Sequence, residues 1–314
     1  MVQRQVELIG AAWGLGGADP ACADAPAVLA PALAARLAAR GVPALPGPML
    51  SVMGRERRKQ AAVSRLCGLL GSAVADAVRR GRLPCVLGGD HSCAGGTWTG
   101  VARALKEEAL RADEPSGALG LLWIDAHMDC HTSGTSHTGR LHGMPLAWLL
   151  GQDDDPLYGL ATGVLRPGHV ALVGVRSFEP EEDERLRRLG VRVYRMEEVR
   201  ARGLAAVFGE ALRVAKDGTS GFGVSIDLDV LDPGDAPGVA TPVAGGIRAD
   251  ELAAALAVLP GMPSFRALEL VEYSPRLDPK GSTAEAALAL LAAALCGAKE
   301  EPHVAAAALE RDDR

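Results

Sequence analysis

Short apolar, β-rich runs recur along the chain at Val6–Ile9, Pro84–Leu87, Leu119–Ile124, Val170–Val175, Val191–Tyr194, Phe222–Ile226 and Ala267–Val271. Most lack polar alternation, which is the pattern of strands buried on both faces. Between most of them lie longer stretches with helical spacing, such as Ala27–Ala39, Gln60–Arg79, Gly96–Ala112, Pro180–Leu189, Ala249–Val258 and Thr283–Leu295. Strand and helix alternate, and parallel strands need crossovers that place helices on the faces of the sheet. The pattern therefore predicts an α/β fold, a three-layer α/β/α sandwich with a mainly parallel sheet. In such sheets the site lies beyond the carboxyl ends of the strands, so the polar residues just after each apolar run are the ones to inspect.

At 314 residues, without internal repeats or a long linker, the chain reads as one domain spanning residues 1–314. Its core is expected over about residues 5–298, and the charge-rich residues 299–314 form a loosely held tail. Hydrophobic residues make up 48% and charged residues 23%, the balance of an ordinary globular protein. With a net charge of −6 and no long Lys/Arg run, the electrostatic footprint of a nucleic-acid binder is missing. The first residues alternate charged and apolar instead of forming a signal-peptide core, and the longest apolar run, Ala286–Ala298, is too short to span a bilayer. Six cysteines without paired short spacing favour a reduced, cytoplasmic setting.

Chemistry concentrates at three strand ends. Gly88-Gly89-Asp90-His91-Ser92 follows the run ending at Leu87, and its glycines allow a tight turn that presents an imidazole. Asp125-Ala126-His127-Met128-Asp129 follows Ile124, and Asp227-Leu228-Asp229 follows Ile226. Residues two apart in an extended segment point the same way, so Asp125, His127 and Asp129 can converge, as can Asp227 and Asp229. Two imidazoles and four carboxylates exceed the needs of one ion but suit a pair roughly 4 Å apart. Four clustered aspartates would repel, whereas two divalent cations neutralise them. Mostly carboxylate oxygen with some imidazole favours manganese over zinc, nickel, cobalt or iron. Asp90 and Asp232, out of step with the ligands, are expected as hydrogen-bond partners or turn residues.

The motifs GGDHS, DAHMD and SIDLDVLDP, in this order, resemble the three signatures of the ureohydrolase family, which contains arginases and agmatinases. The resemblance runs from Leu8 to about Gly297. It implies two Mn2+ ions on His91, Asp125, His127, Asp129, Asp227 and Asp229, and a homo-oligomer, trimer or hexamer. The segment Leu141-His142-Gly143-Met144-Pro145-Leu146-Ala147 resembles the arginase branch and implies a proton-shuttling His142. Glu272, in Leu270-Val271-Glu272-Tyr273-Ser274-Pro275, falls where the family places a carboxylate that pairs with the guanidinium. Both roles make chemical sense: a carboxylate fixes a planar cation edge-on, and histidine can protonate a leaving amine near neutral pH.

Departures from the family pattern fall at the substrate's amino-acid end. His131, Thr138 and Arg140 stand where arginases carry Asn, Ser and Asn, and Glu179 where they carry Asp; Glu182 matches a second acidic contact. Donors at 131–140 still suit a carboxylate, and the acidic pair still suits an ammonium. The leading expectation is L-arginine hydrolysis to L-ornithine and urea. Another guanidino acid, agmatine or formimidoylglutamate is the alternative, and urea against formamide as product separates some of these. A non-catalytic relative is remote, because no metal ligand has been lost, and so is a single-zinc deacetylase.

Overall fold

The computed structural model of the chain describes residues 4–51, 59–113, 117–153, 157 and 162–298. The segment expected as a loose tail, 299–314, lies outside the described residues. Among the described residues eight strands follow one another: β1 (Val6–Ala12), β2 (Ala44–Ser51), β3 (Leu83–Gly88), β4 (Leu119–Ile124), β5 (Leu165–Val175), β6 (Arg192–Arg195), β7 (Gly221–Asp227) and β8 (Phe265–Val271). They form one sheet in the spatial order β2-β1-β3-β8-β7-β4-β5-β6, and every neighbouring pair is parallel.

The helices are α1 (Ala25–Ala38), α2 (Lys59–Arg79), α3 (Ala94–Ala112), α4 (Pro145–Leu149), α5 (Pro180–Leu189), α6 (Met196–Arg202), α7 (Leu204–Lys216), α8 (Ala249–Leu256) and α9 (Ser282–Cys296). Two buried clusters lie on opposite faces of the sheet. One joins α1, α7, α8 and α9 to strand residues such as Cys85 and Leu87 of β3, Ile124 of β4, Ile226 of β7 and Leu270 of β8. The other joins α2, α3, α4 and α5 to Val86, Trp123 and Val271, which point the opposite way on those strands. That is the three-layer α/β/α sandwich, with the central strands β3, β4 and β7 buried along their whole length because both of their faces are covered.

Two features escaped the hydrophobic pattern. β2, sequence ALPGPMLS, contains two prolines, which a central strand would not tolerate; at the sheet edge, paired only to β1, it can carry them. The chain after β6 folds into α6 and α7, neither named from the periodicity, and α7 buries Val207, Phe208, Ala211 and Leu212. By length and composition α2 and the stretch Pro20–Ala38 could cross a membrane, but α2 is 61% buried over its apolar window, as a core helix is, and α1 packs Leu29, Leu33 and Leu37 into the core.

The strand order decides where chemistry can collect. β3, β8, β7 and β4 are consecutive in the sheet, so the segments that follow their carboxyl ends meet over its middle. Gly89 opens the turn after β3, and a Cβ there would stand 1.8 Å from the Trp13 carbonyl oxygen, so only glycine lets the turn pack this close to the chain beyond β1.

Candidate metal centre

His91 sits on a single 3₁₀ turn between β3 and α3, entirely buried, with its ring stacked on Trp123 at 4.2 Å between centroids and 14° between planes. Oxygens of Asp129, Asp227 and Asp125 lie 2.9, 3.2 and 3.3 Å from its Nδ1, yet that nitrogen has no partner in hydrogen-bonding geometry. A buried ring nitrogen without a partner, facing three carboxylates, is the donor set of a cation cradle. A second group adjoins the first: His127 Nδ1 lies 3.0 Å from Asp229 and 3.6 Å from Asp125. Donor atoms of His91, Asp125, Asp129 and Asp227 lie within 4.8 Å of one another, as do those of Asp125, His127 and Asp229. Asp125 belongs to both groups.

All six expected ligands are thus brought together, though not by strand alternation. β4 ends at Ile124, and Asp129 turns back into the cluster with a left-handed φ of 47°. Asp229 sits on a 3₁₀ turn (Leu228–Val230), where its backbone N–H donates to Asp227 Oδ1 at 2.9 Å. Left-handed backbone at a non-glycine residue costs energy and persists where surrounding contacts enforce it. Glu272, at φ 66°, is the other such residue near the cluster.

The charges fit a site built for cations. Burial pushes Asp129 up to about 6, aided by the charge of Asp125. Asp227 is raised by burial and by Asp229 and Asp125. Burial alone would lower His91 and His127, but the carboxylates around them hold both well above the ordinary histidine value. Cations held among these aspartates would balance the same crowded charges.

Beside the cluster lies a cavity of about 180 Å³ whose wall includes His127, Asp129, Asp227 and Asp229 together with His131, Thr138, Arg140, His142, Glu179 and Glu182. The wall does not include Glu272. That carboxylate is 2% exposed; its Oε1 accepts from the His142 ring at 2.9 Å and from the His91 backbone N–H at 2.8 Å, while its Oε2 has no partner. Burial would lower the His142 imidazole, but Glu272 raises it to about 9.

A sequence model of the arginase family matches residues 5–297. The chain belongs to the arginase family. It is 41% identical to an arginase of Bacillus caldovelox over 236 residues, covering 74% of this chain and 75% of that one. An arginase of Brevibacillus brevis is 40% identical over 224 residues, covering 71% of this chain and 72% of that one. The crystal structure of arginase from Bacillus subtilis superposes with a TM-score of 0.83 at 33% identity, covering 94% of this chain and 99% of that one.

Within this arginase-family site the expected substrate contacts differ in how free they are. Arg140 and Thr138 are exposed at the cavity mouth, where the Thr138 hydroxyl accepts from the Arg140 backbone N–H at 3.2 Å. His131 is committed on both sides, its Nδ1 3.2 Å from Thr135 Oγ1 and its Nε2 3.0 Å from Glu179 Oε2. Glu182 is 3% exposed and accepts from the backbone N–H groups of Cys130 and Glu179, closing the first turn of α5 onto the loop after Asp129. Burial raises its carboxyl to about 8. Asp90 and Asp232 are turn residues: Asp90 accepts from Ser92 and Gly16 N–H groups, and Asp232 from those of Gly234, Gly245 and Gly246.

Sequence reasoning missed Thr241, whose hydroxyl donates to Asp229 Oδ2 at 3.0 Å, and Trp123, whose indole donates to Asp125 Oδ2 at 2.9 Å. It also passed over Arg176, just after β5, where only a basic residue at a strand end could have drawn notice. Its guanidinium donates to the carbonyls of Asp229, Val230, Leu231, Val243, Ala244 and Gly174, tying the ligand-bearing turn after β7 to the neighbouring loop. Arg176→Ala is expected to cost about 3 kcal/mol, since charged hydrogen bonds contribute roughly 1.5–3 kcal/mol each but overlap strongly here. That corresponds to roughly 4–6 °C in melting temperature, with weaker ion binding at the Asp229 group. A variant that melts within about 1 °C of the parent would count against this anchoring role.

Proposed function

We propose that this chain hydrolyses L-arginine to L-ornithine and urea with two manganese ions, one held by His91, Asp125, Asp129 and Asp227 and the other by Asp125, His127 and Asp229. The observation that carries the reading is the pair of ligand groups sharing Asp125 beside an unpartnered, buried His91 Nδ1. Bound there, the ions would supply Lewis acidity and make water nucleophilic at neutral pH. The chain's own residues do the rest. Glu272 stands just behind the cavity wall, where its Oε1 keeps the His142 ring in place and its Oε2, without a partner, is the acceptor that the family resemblance assigns to a guanidinium N–H. His142, on the cavity wall, donates the proton that the leaving amine needs. Asp129, on the same wall, accepts a hydrogen bond from the attacking water and orients it. Around the mouth, Arg140 and Thr138 offer donors to the substrate carboxylate, and Glu179, with His131 and Glu182 behind it, faces the substrate ammonium.

A second reading, another guanidino acid as substrate, is favoured by one observation: the His131 ring lies 3.0 Å from Glu179 and 3.4 Å from Glu182, so the acidic pair is already partly engaged from within. The reading also includes a single domain, a homo-oligomeric assembly as trimer or hexamer and a cytoplasmic location, which the family resemblance supports. To test substrate and chemistry together, manganese-loaded protein is incubated with L-arginine, agmatine, 4-guanidinobutyrate and formimidoylglutamate, with urea, ammonia and formamide measured and Asp129→Ala as control. Urea from arginine, absent in the control, is the expected result. Urea from 4-guanidinobutyrate alone would transfer the assignment to the second reading, and silence on all four, with two metals bound, would overturn the arginine reading and point to a guanidino substrate outside this set or to a non-catalytic role.

A further inference from the structure

Glu269, on β8, is a carboxylate with no exposure to solvent and no part in the proposed chemistry. Its Oε2 accepts from the Ser225 hydroxyl at 2.7 Å and from the Trp98 indole at 3.1 Å, and its Oε1 from the Cys93 thiol at 3.5 Å. Trp98 reaches it across β7 at Gly223, where any Cβ would stand 1.9 Å from the indole ring. Ser225 Oγ in turn lies 3.0 Å from His91 Nε2. Carboxylate, serine and imidazole thus form one buried line that ends at the cation cradle.

The direction of that line follows from counting protons. A serine hydroxyl has a single hydrogen, and here it is given to Glu269. Its oxygen can then only accept from His91, which requires Nε2 to carry the proton and leaves the lone pair on Nδ1, the atom facing Asp125, Asp129 and Asp227. The ring plane is fixed independently by the stack on Trp123. We propose that Glu269 is a positioning residue: acting through Ser225, it selects the His91 tautomer whose Nδ1 faces the metal centre. The proposal rests on the reading of His91 as a ligand. Without Glu269, the Ser225 hydroxyl is free to turn and donate to Nε2, which stabilises the tautomer with Nδ1 protonated and closed to a cation.

The test compares Glu269→Leu, Glu269→Gln and Ser225→Ala with the parent by chelator-competition titration of manganese, alongside thermal melting and steady-state kinetics. Glutamine can place its carbonyl oxygen where Oε2 stands and its amide beside the Cys93 sulfur, so it should bind both ions as the parent does. Leucine removes the acceptor, and alanine at 225 removes the relay; each is expected to weaken one of two ions by about 10- to 100-fold and leave the other unchanged. At saturating manganese, KM for arginine should stay at the parent value in both. Ser225→Ala keeps the question answerable if Glu269→Leu fails to fold. Folded variants that bind both ions like the parent would overturn the role of Glu269 alone, and so would equal weakening of both ions in step with a lower melting temperature. A parent that takes up no manganese would overturn the metal reading itself and this proposal with it.

Discussion

Asp125→Asn will lose tight binding of both ions and roughly a thousandfold or more in turnover, a greater loss than at any ligand confined to one group. Two facts combine at this residue. It is the member common to both ligand groups, so its removal subtracts from each. Several kcal/mol of barrier lowering depend on the bound pair, and each 1.36 kcal/mol is a factor of ten. Asparagine is also a poor isostere here, because Asp125 Oδ1 accepts from the His127 backbone N–H at 2.6 Å and Oδ2 from the Trp123 indole at 2.9 Å. Whichever way the amide turns, its NH2 meets a donor, and one buried N–H goes unpaired. Asp229→Asn, in one group only, should retain one ion. Metal analysis after gel filtration and kcat/KM for urea release check both variants. Two ions retained by Asp125→Asn with more than about a tenth of parental turnover would defeat the bridging assignment.

The same cluster shows what could be read from the sequence and what could not. The members of the cluster were legible because each motif directly follows a strand buried on both faces, and because Asp and His after such strands have little reason to collect except at a site. The manner of their convergence was not legible. Alternation along an extended segment anticipated the grouping of Asp125, His127 and Asp129, whereas Asp129 is placed by a left-handed turn and the three are shared between two groups. Ser225 and Glu269 lie inside strands, where a polar residue carries no periodic signal, and their role depends on which strands are neighbours in space. β2 was hidden by its prolines, which only an edge position accommodates. Glu182 matched an acidic position in the family pattern, but the capping contact that absorbs much of its carboxylate depends on how α5 docks on the loop after Asp129.

Removing the charge of Glu272 should shift the alkaline limb of the pH–rate profile downward by roughly one to three units, which separates its effect on His142 from its contact with substrate. His142 Nδ1 and Glu272 Oε1 are 2.9 Å apart, and Oε1 is held independently by the His91 backbone N–H. Burial works against the imidazolium, and the carboxylate outweighs it, raising His142 to about 9. A proton donor works only while protonated, so activity through His142 is complete below that value and falls as pH rises through it. In Glu272→Gln the strongest opposing charge is gone while the burial remains and only the more distant Asp129 and Asp90 still favour the imidazolium, so the imidazole should titrate well below its parental value. The variant would then lose activity across neutral pH, where the parent is at its plateau, and its KM would rise because a guanidinium contact has also weakened. The stability linkage has the same sign: the raised His142 value adds stability that is fully present below the unfolded histidine value and is lost as pH rises through about 9. His142→Asn should lower kcat by about 10²- to 10⁴-fold and abolish that limb altogether. Profiles of kcat against pH for the three proteins decide the matter. An alkaline limb that stays in place in Glu272→Gln would show that the titrating group is not His142, and the proton would have to come from elsewhere in the cavity.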